Sequence, residues 1–486
     1  MQLINAGPDV PDSLLEAHEE GRVVFFCGAG ISYPSGLGGF GWLVEKLIQE
    51  LGYHKDHELQ EAICKKQFDI AIGLLESHLV VGRAGIRSKI KEILTPDPNK
   101  INLDTHNALL TLAKTRKSNQ TKLRLITTNF DRLFEEIPSI KSYKAPLLPV
   151  PKLHWDGLVY LHGLLPENET DSDLDNLVVS SGDFGLAYLM EGWAARFICE
   201  LFRNFNVVFV GYSIDDPVLR YMVDALSADK LRGEDPLEMF SFCPYSEGDK
   251  DRCVRKWQAK NVIPIPYQED QNHEYLHKTL HKWSEIYRDG IFGKERIVND
   301  IAPLLPGNST QSDDYLSRLI WALSDPTGKP AKQFAEFNPA PSLDWLEPFS
   351  ENRFDITDLK RFGINPMDSI NSEISFSLLN RPTPYPLAPN MAISDRGDTT
   401  VRPDEVMRQM SQWLTRHLDK PELLLWLVKE EGRVSAFMKR QIKNKLREID
   451  QQEPNNDPES NNLDEIPDDR MLRLWNLLLA GYVKNA

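Results

Sequence analysis

No apolar run in this 486-residue chain approaches the roughly 18 residues that suggest a membrane span. The strongest runs, Val23–Cys27, Val207–Val210 and Leu423–Val428, have the length of core strands or helix faces. The N-terminus, MQLINAGPDVPDSLLEAHEE, is acidic and lacks the basic flank and apolar stretch of a signal peptide, so a cytoplasmic protein without a membrane partner is expected. Cysteine is scarce. The five residues Cys27, Cys64, Cys199, Cys243 and Cys253 form no C-x-x-C pair, so neither a zinc ribbon nor a disulfide framework is readable. Positive charge is short as well: Lys plus Arg is 56 against 72 for Asp plus Glu, a formal net charge of −16. Gripping a nucleic-acid backbone needs a dense cationic face, so nucleic acid is not expected as a partner.

What is present is an ordinary globular composition, 41% hydrophobic and 26% charged, which excludes a largely disordered or collagen-like chain. Over residues 1–295 strand and helix signals alternate, the pattern of a Rossmann-like α/β domain: a mainly parallel sheet with helices on both faces. Strands are expected at Val23–Cys27, Leu123–Thr128, Leu158–Leu161, Leu177–Ser180, Val207–Val210, Met239–Phe242 and Val262–Ile265. Helices are expected at Phe184–Phe205, Pro217–Ala228 and His273–Tyr287, and Ser13 with Glu16 suggests a capping box for a short first helix. Residues 296–315, which include PLLPGNSTQSDD, have linker composition, and 316–486 reads as a mainly helical region. Its clearest helices are Pro403–Leu418, Lys420–Glu431, Arg433–Asp450 and Arg470–Val483.

Four short motifs end or follow apolar strands. Gly28-Ala29-Gly30-Ile31-Ser32 follows Val23–Cys27; such glycines let the backbone turn sharply and approach a pyrophosphate, or serve only a tight βα turn. Thr127-Thr128-Asn129-Phe130-Asp131 closes a second strand, where polar side chains meet a ligand in open parallel sheets or simply cap a helix. His162-Gly163 follows Leu158–Leu161, and His162 reads as a structural or a catalytic histidine. Gly211-Tyr212-Ser213-Ile214-Asp215-Asp216 follows Val207–Val210, with Asp215 or Asp216 able to cap a helix beginning at Pro217.

In order and spacing these four motifs resemble the sirtuin family, and more closely the zinc-less sirtuin-like domains of bacterial anti-phage defence proteins. The stretch SSGDFGLAYL (Ser180–Leu189) is also similar to the segment before a long helix in that group. Two departures from the deacylating sirtuins stand out. The two zinc-holding Cys pairs are missing, and Gly38-Gly39-Phe40 replaces the acidic element after the glycine loop. The resemblance therefore implies NAD⁺ as substrate, with no zinc, and cleavage at the nicotinamide–ribose bond rather than deacetylation.

It further implies roles for individual residues. Asn129 holds the ribose or the attacking water, His162 acts as general base from an ordinary pKa near 6.5, and Asp131 orients a neighbour. Gly28, Ala29, Gly30, Ser32, Thr128, Gly211, Ser213 and Asp216 line the nucleotide. The resemblance implies an abortive-infection effector that depletes NAD⁺, a homo-tetramer, and a phage protein or other trigger acting on 316–486. A catalytically silent NAD⁺- or ADP-ribose-binding sensor, and an ADP-ribosyltransferase or residual deacylase, share the same pocket and stay open.

Overall fold

The computed structural model describes residues 1–115, 121–151, 155–167, 172–213, 237–270, 272–362, 375–379 and 405–418, with 420, 422, 423, 425 and 426. By internal packing it divides into two units, Met1–Arg288 and Asp289–Ala486.

Seven strands of the first unit form one sheet: β1 Val23–Cys27, β2 Arg124–Thr127, β3 Ser142–Lys144, β4 Gly157–Tyr160, β5 Asn206–Val210, β6 Met239–Tyr245 and β7 Ile263–Gln268. Their order is β3–β4–β2–β1–β5–β6–β7, and every neighbouring pair is parallel. All five residues of β1 and of β5 are buried, as continuous apolar runs demand when helices cover both faces of a sheet. The chain runs from β1 to β2, out to the edge at β3 and back to β4 between β3 and β2, then crosses to the other side of β1 at β5. That reversal is a topological switch point, beyond whose strand ends open α/β sheets bind their ligands. This is the Rossmann-like α/β fold that the alternating signals imply.

Helices supply the covering layers. Phe40–Glu50 buries Leu43, Val44, Leu47 and Ile48 along one side, at the spacing of a helix face. Glu274–Asp289 buries Leu276, Leu280, Trp283 and Tyr287.

Some expectations need correction. Leu177–Ser180 is buried but forms no strand. Its amides are already used: Val178 N donates to the His162 carbonyl, and Val179 N and Ser180 N donate to the Asp183 carboxylate. The single helix expected over Phe184–Phe205 is three pieces, a turn at Ser181–Phe184, a π-helix at Gly185–Met190 and a helix at Trp193–Asn204, with the break at Gly192. The first helix, Asp12–Glu19, starts after Pro11, with no side-chain cap from Ser13. Edge strand β3 was invisible in sequence because Ser-Tyr-Lys has neither apolar run nor alternation.

The segment expected as a linker overlaps helix Ile291–Ile301, a turn at Pro306–Asn308 and the first residue of helix Tyr315–Leu323. In the second unit, Lys329–Glu336 and Glu405–Thr415 pack around Phe334, Phe349 and Trp413, whose rings meet edge to face at 5.5–5.7 Å. Phe354–Asp355 pairs antiparallel with Ser375–Phe376. Helix Glu405–Thr415 falls within the Pro403–Leu418 expectation. The helices expected at Pro217–Ala228, Arg433–Asp450 and Arg470–Val483, and most of Lys420–Glu431, lie outside the described residues.

Candidate active site

The glycine loops after β1 and β5 lie backbone against backbone. Gly28 N donates to Val210 O at 2.8 Å and Gly30 N to Gly211 O at 3.0 Å. A methyl group at Gly30 would sit 2.7 Å from Gly211 Cα, and one at Gly211, whose φ is +73°, would sit 2.8 Å from Ile31 N. These glycines are therefore required by loop-to-loop contact, whatever ligand the loops meet.

From this base the polar residues of three adjacent strands converge. Ser32, in the turn after β1, donates to Asp131 Oδ2 at 2.9 Å and accepts from Asn129 Nδ2 at 3.2 Å. Both ends of its hydroxyl are occupied, and it ties the β1 loop to the β2 loop. Leu133 N donates to Asp131 Oδ1, and Asn129 N to Thr127 Oγ1, so backbone bonds fix this loop too. Thr128 shares a hydrogen bond with Tyr212 OH, joining the β2 loop to the β5 loop. A cavity of about 70 Å³ is lined by Ser32, Thr128, Asn129, Asp131, His162 and Phe184, among others. Roughly 10–15 Å³ of such space holds one water, so several fit.

His162 follows β4 and is 2% exposed. Its Nε2 shares a 2.9 Å hydrogen bond with Tyr188 OH, and Phe184 meets its ring edge-on. Behind Phe184, Asp183 accepts from the Val179 and Ser180 amides, the Ser180 hydroxyl and Arg87. Arg87, fully buried, also donates to the carbonyls of Leu174 and Leu177. Burial alone would raise the Asp183 pKa, but the two amides and the Arg87 charge hold it below the ordinary carboxylate value.

Burial pushes the His162 pKa down to about 3, so the base expected to titrate near 6.5 is a neutral imidazole of low basicity. Burial likewise lowers His106 to about 3 and His277 to about 4. A folded-state pKa below the unfolded value contributes stability that is complete above about pH 6.5 and is lost as pH falls toward 3–4. Asp131 is shifted up by burial, against hydrogen bonds from Leu133, Ser32 and Asn129, and works in the opposite sense. The unfolding free energy should fall on acidification from pH 7 to 5 by up to about 1.4 kcal/mol per pH unit for each such histidine. Denaturation of His106→Leu across that range should show a shallower pH slope than the parent chain. An unchanged slope would contradict the assignment.

A second cavity, about 440 Å³, opens on the β5–β7 side and is lined by Gly30, Tyr33, Gly211, Ser213, Tyr267 and His273, among others. That volume falls in the usual range for ligand pockets of roughly 300–1,000 Å³. The two cavities share Ala29, Gly39 and Phe40. The structure thus brings Ser32, Thr128, Asn129, Asp131 and His162 to one cavity and Gly30, Gly211 and Ser213 to the other, with Ala29 between. Gly28 lies in the loop contact, and Asp216 lies outside the described residues. Sequence reasoning missed Tyr188, Tyr212 and Arg87. Tyr188 lies within SSGDFGLAYL and Tyr212 within the Gly211–Asp216 motif, each without a role there, and no local pattern marks Arg87.

Among the described residues, no group of three or more His, Cys, Asp or Glu is placed to hold a metal ion, and no helix is long and apolar enough to cross a membrane. Residues 123–265 match the SIR2-like domain family, so a SIR2-like domain is present, and SIR2-like domains use NAD⁺. The chain is also similar to the uncharacterized protein y4cA of Sinorhizobium fredii (strain NBRC 101917 / NGR234), with 30% identity over 338 residues. The match covers 66% of this chain and 27% of that protein, so the chain spans about a quarter of the length of the curated relative it matches.

Proposed function

We propose that this chain is an NAD⁺ hydrolase that cleaves the nicotinamide–ribose bond to give nicotinamide and ADP-ribose. The observation that carries this reading is the convergence of Ser32, Asn129, Asp131 and His162, from the ends of three adjacent parallel strands, on one small cavity beside the switch point. The reacting end of NAD⁺ enters that cavity, and the rest of the dinucleotide passes Ala29 into the larger one.

Breaking the glycosidic bond builds oxocarbenium character on the ribose, while nicotinamide leaves neutral and needs no strong acid. Positioning is then the main demand. Asn129, held through Ser32 by Asp131, orients the ribose or the attacking water. A base of low pKa takes a proton only from a strongly acidified donor, and water bonding to an oxocarbenium carbon is one. His162 fits that late step.

The resemblance of the motifs to defence proteins supports the further reading of an anti-phage effector, cytoplasmic and homo-oligomeric, that depletes NAD⁺ on triggering. Such an enzyme needs restraint, which we assign to residues 316–486 or to contacts between copies. A second reading, an NAD⁺- or ADP-ribose-binding sensor, draws on the weak basicity of His162. Incubation of the full chain with NAD⁺ and chromatography of the products decides. Nicotinamide and ADP-ribose in equal amounts are expected, whereas binding with intact NAD⁺ under every condition would favour the sensor.

A further inference from the structure

An imidazole can accept a proton on one nitrogen only if the other carries the hydrogen, so a buried histidine base needs something to choose its tautomer. Tyr188 stands at that place. Its hydroxyl lies 2.9 Å from His162 Nε2, and both residues are buried. The ring is delivered by the π-helix Gly185–Met190, which follows Phe184 directly. Phe184 and Tyr188 stack with centroids 5.8 Å apart and 23° between their planes, and both meet His162 edge-on, at 5.2 and 6.0 Å. The start of this segment is pinned by the buried Arg87–Asp183 pair.

We infer that Tyr188 is a positioning residue for His162: by accepting the Nε2 hydrogen it holds the ring in the tautomer whose Nδ1 lone pair is left for the substrate side. This rests on the reading that His162 acts as the base. Tyr188 does not line the small cavity and acts only through the imidazole. π-helical turns are uncommon and recur at functional sites, and here the turn supplies a hydroxyl bonded to the histidine.

The test uses the full chain with ¹⁵N-labelled histidine. Tyr188→Phe removes one oxygen and keeps the ring stacked on Phe184. Its kcat for NAD⁺ should fall about tenfold, the equivalent of one hydrogen bond, with KM unchanged and the melting temperature lowered by only a few degrees. The ring-nitrogen shifts of His162, assigned as the pair missing in His162→Ala, should move from a single Nε2–H tautomer to a mixture. Unmoved shifts would overturn the inference, as would a Tyr188→Phe variant whose KM rises about tenfold with kcat unchanged. Where the chain shows no turnover, the shifts alone decide. Wild-type turnover by His162→Ala would instead sink the assignment of the base, leaving the Tyr188 contact readable in the shifts.

Discussion

His162→Ala should lose about 10²–10⁴-fold in NAD⁺ turnover, the usual cost of removing a general base, while still binding NAD⁺. The dinucleotide meets many groups besides the imidazole, including those of the larger cavity around Gly211 and Ser213. Asn129→Ala should behave similarly, because its amide is held toward the cavity by Ser32 and fills no apolar core. Its truncation also leaves Ser32 with one partner fewer, so a small stability loss of about 1 kcal/mol is expected beside the kinetic one. Titration calorimetry for binding and product release for turnover separate the two effects. Loss of binding in parallel with turnover would mean that these side chains shape the cavity rather than act in it.

The largest stability effect should come from a residue that touches no substrate. Arg87→Ala leaves the Asp183 carboxylate without its buried cation, and breaking such a pair commonly costs about 3–5 kcal/mol. The lower end is expected, since Arg83 Nη2 still reaches Asp183 Oδ1 and three neighbouring donors remain. Arg87→Lys keeps the charge but cannot serve the Leu174 and Leu177 carbonyls together with Asp183, so an intermediate loss should follow. A melting temperature unchanged in Arg87→Ala would show that this network is not what holds the Ser180–Tyr188 segment.

Truncation is a further check. Helix Ile291–Ile301 packs on Tyr315–Leu323 and Lys329–Glu336, so a cut near Gly307 strips it of partners. A chain ending at Arg288 follows the division of the structure and should still bind NAD⁺. Equal activity with and without residues 289–486, triggered or not, would place the restraint elsewhere.

The parallel sheet was legible because strands buried on both faces must be apolar throughout, and β1 and β5 announce themselves as Val-Val-Phe-Phe-Cys and Asn-Val-Val-Phe-Val. The loop motifs were legible because four of them stand in one recognisable order and spacing along the chain, although each alone is an ordinary strand-end sequence. What stayed hidden depends on pairing at a distance. Leu177–Val179 looks like a strand until Asp183 and the His162 carbonyl claim its amides. Arg87 sits in the helix Gly82–Ile93 and looks like any surface cation, yet it meets Asp183 nearly a hundred residues later. The basicity of His162 follows from its burial, which no local pattern of residues states. The role of the glycines was only half visible: a tight turn can be read from composition, but the contact between Gly30 and Gly211 joins loops 181 positions apart (211 − 30).

The two cavities meeting at Ala29, Gly39 and Phe40 bear on how this protein could be inhibited. Two small molecules, a small one beside Asn129 and a larger one beside Tyr267, should be able to occupy the two chambers together. Joined by a short tether past Ala29, the second would bind at an effective concentration on the order of millimolar, and the pair would outbind either part. Neither fragment needs a phosphate.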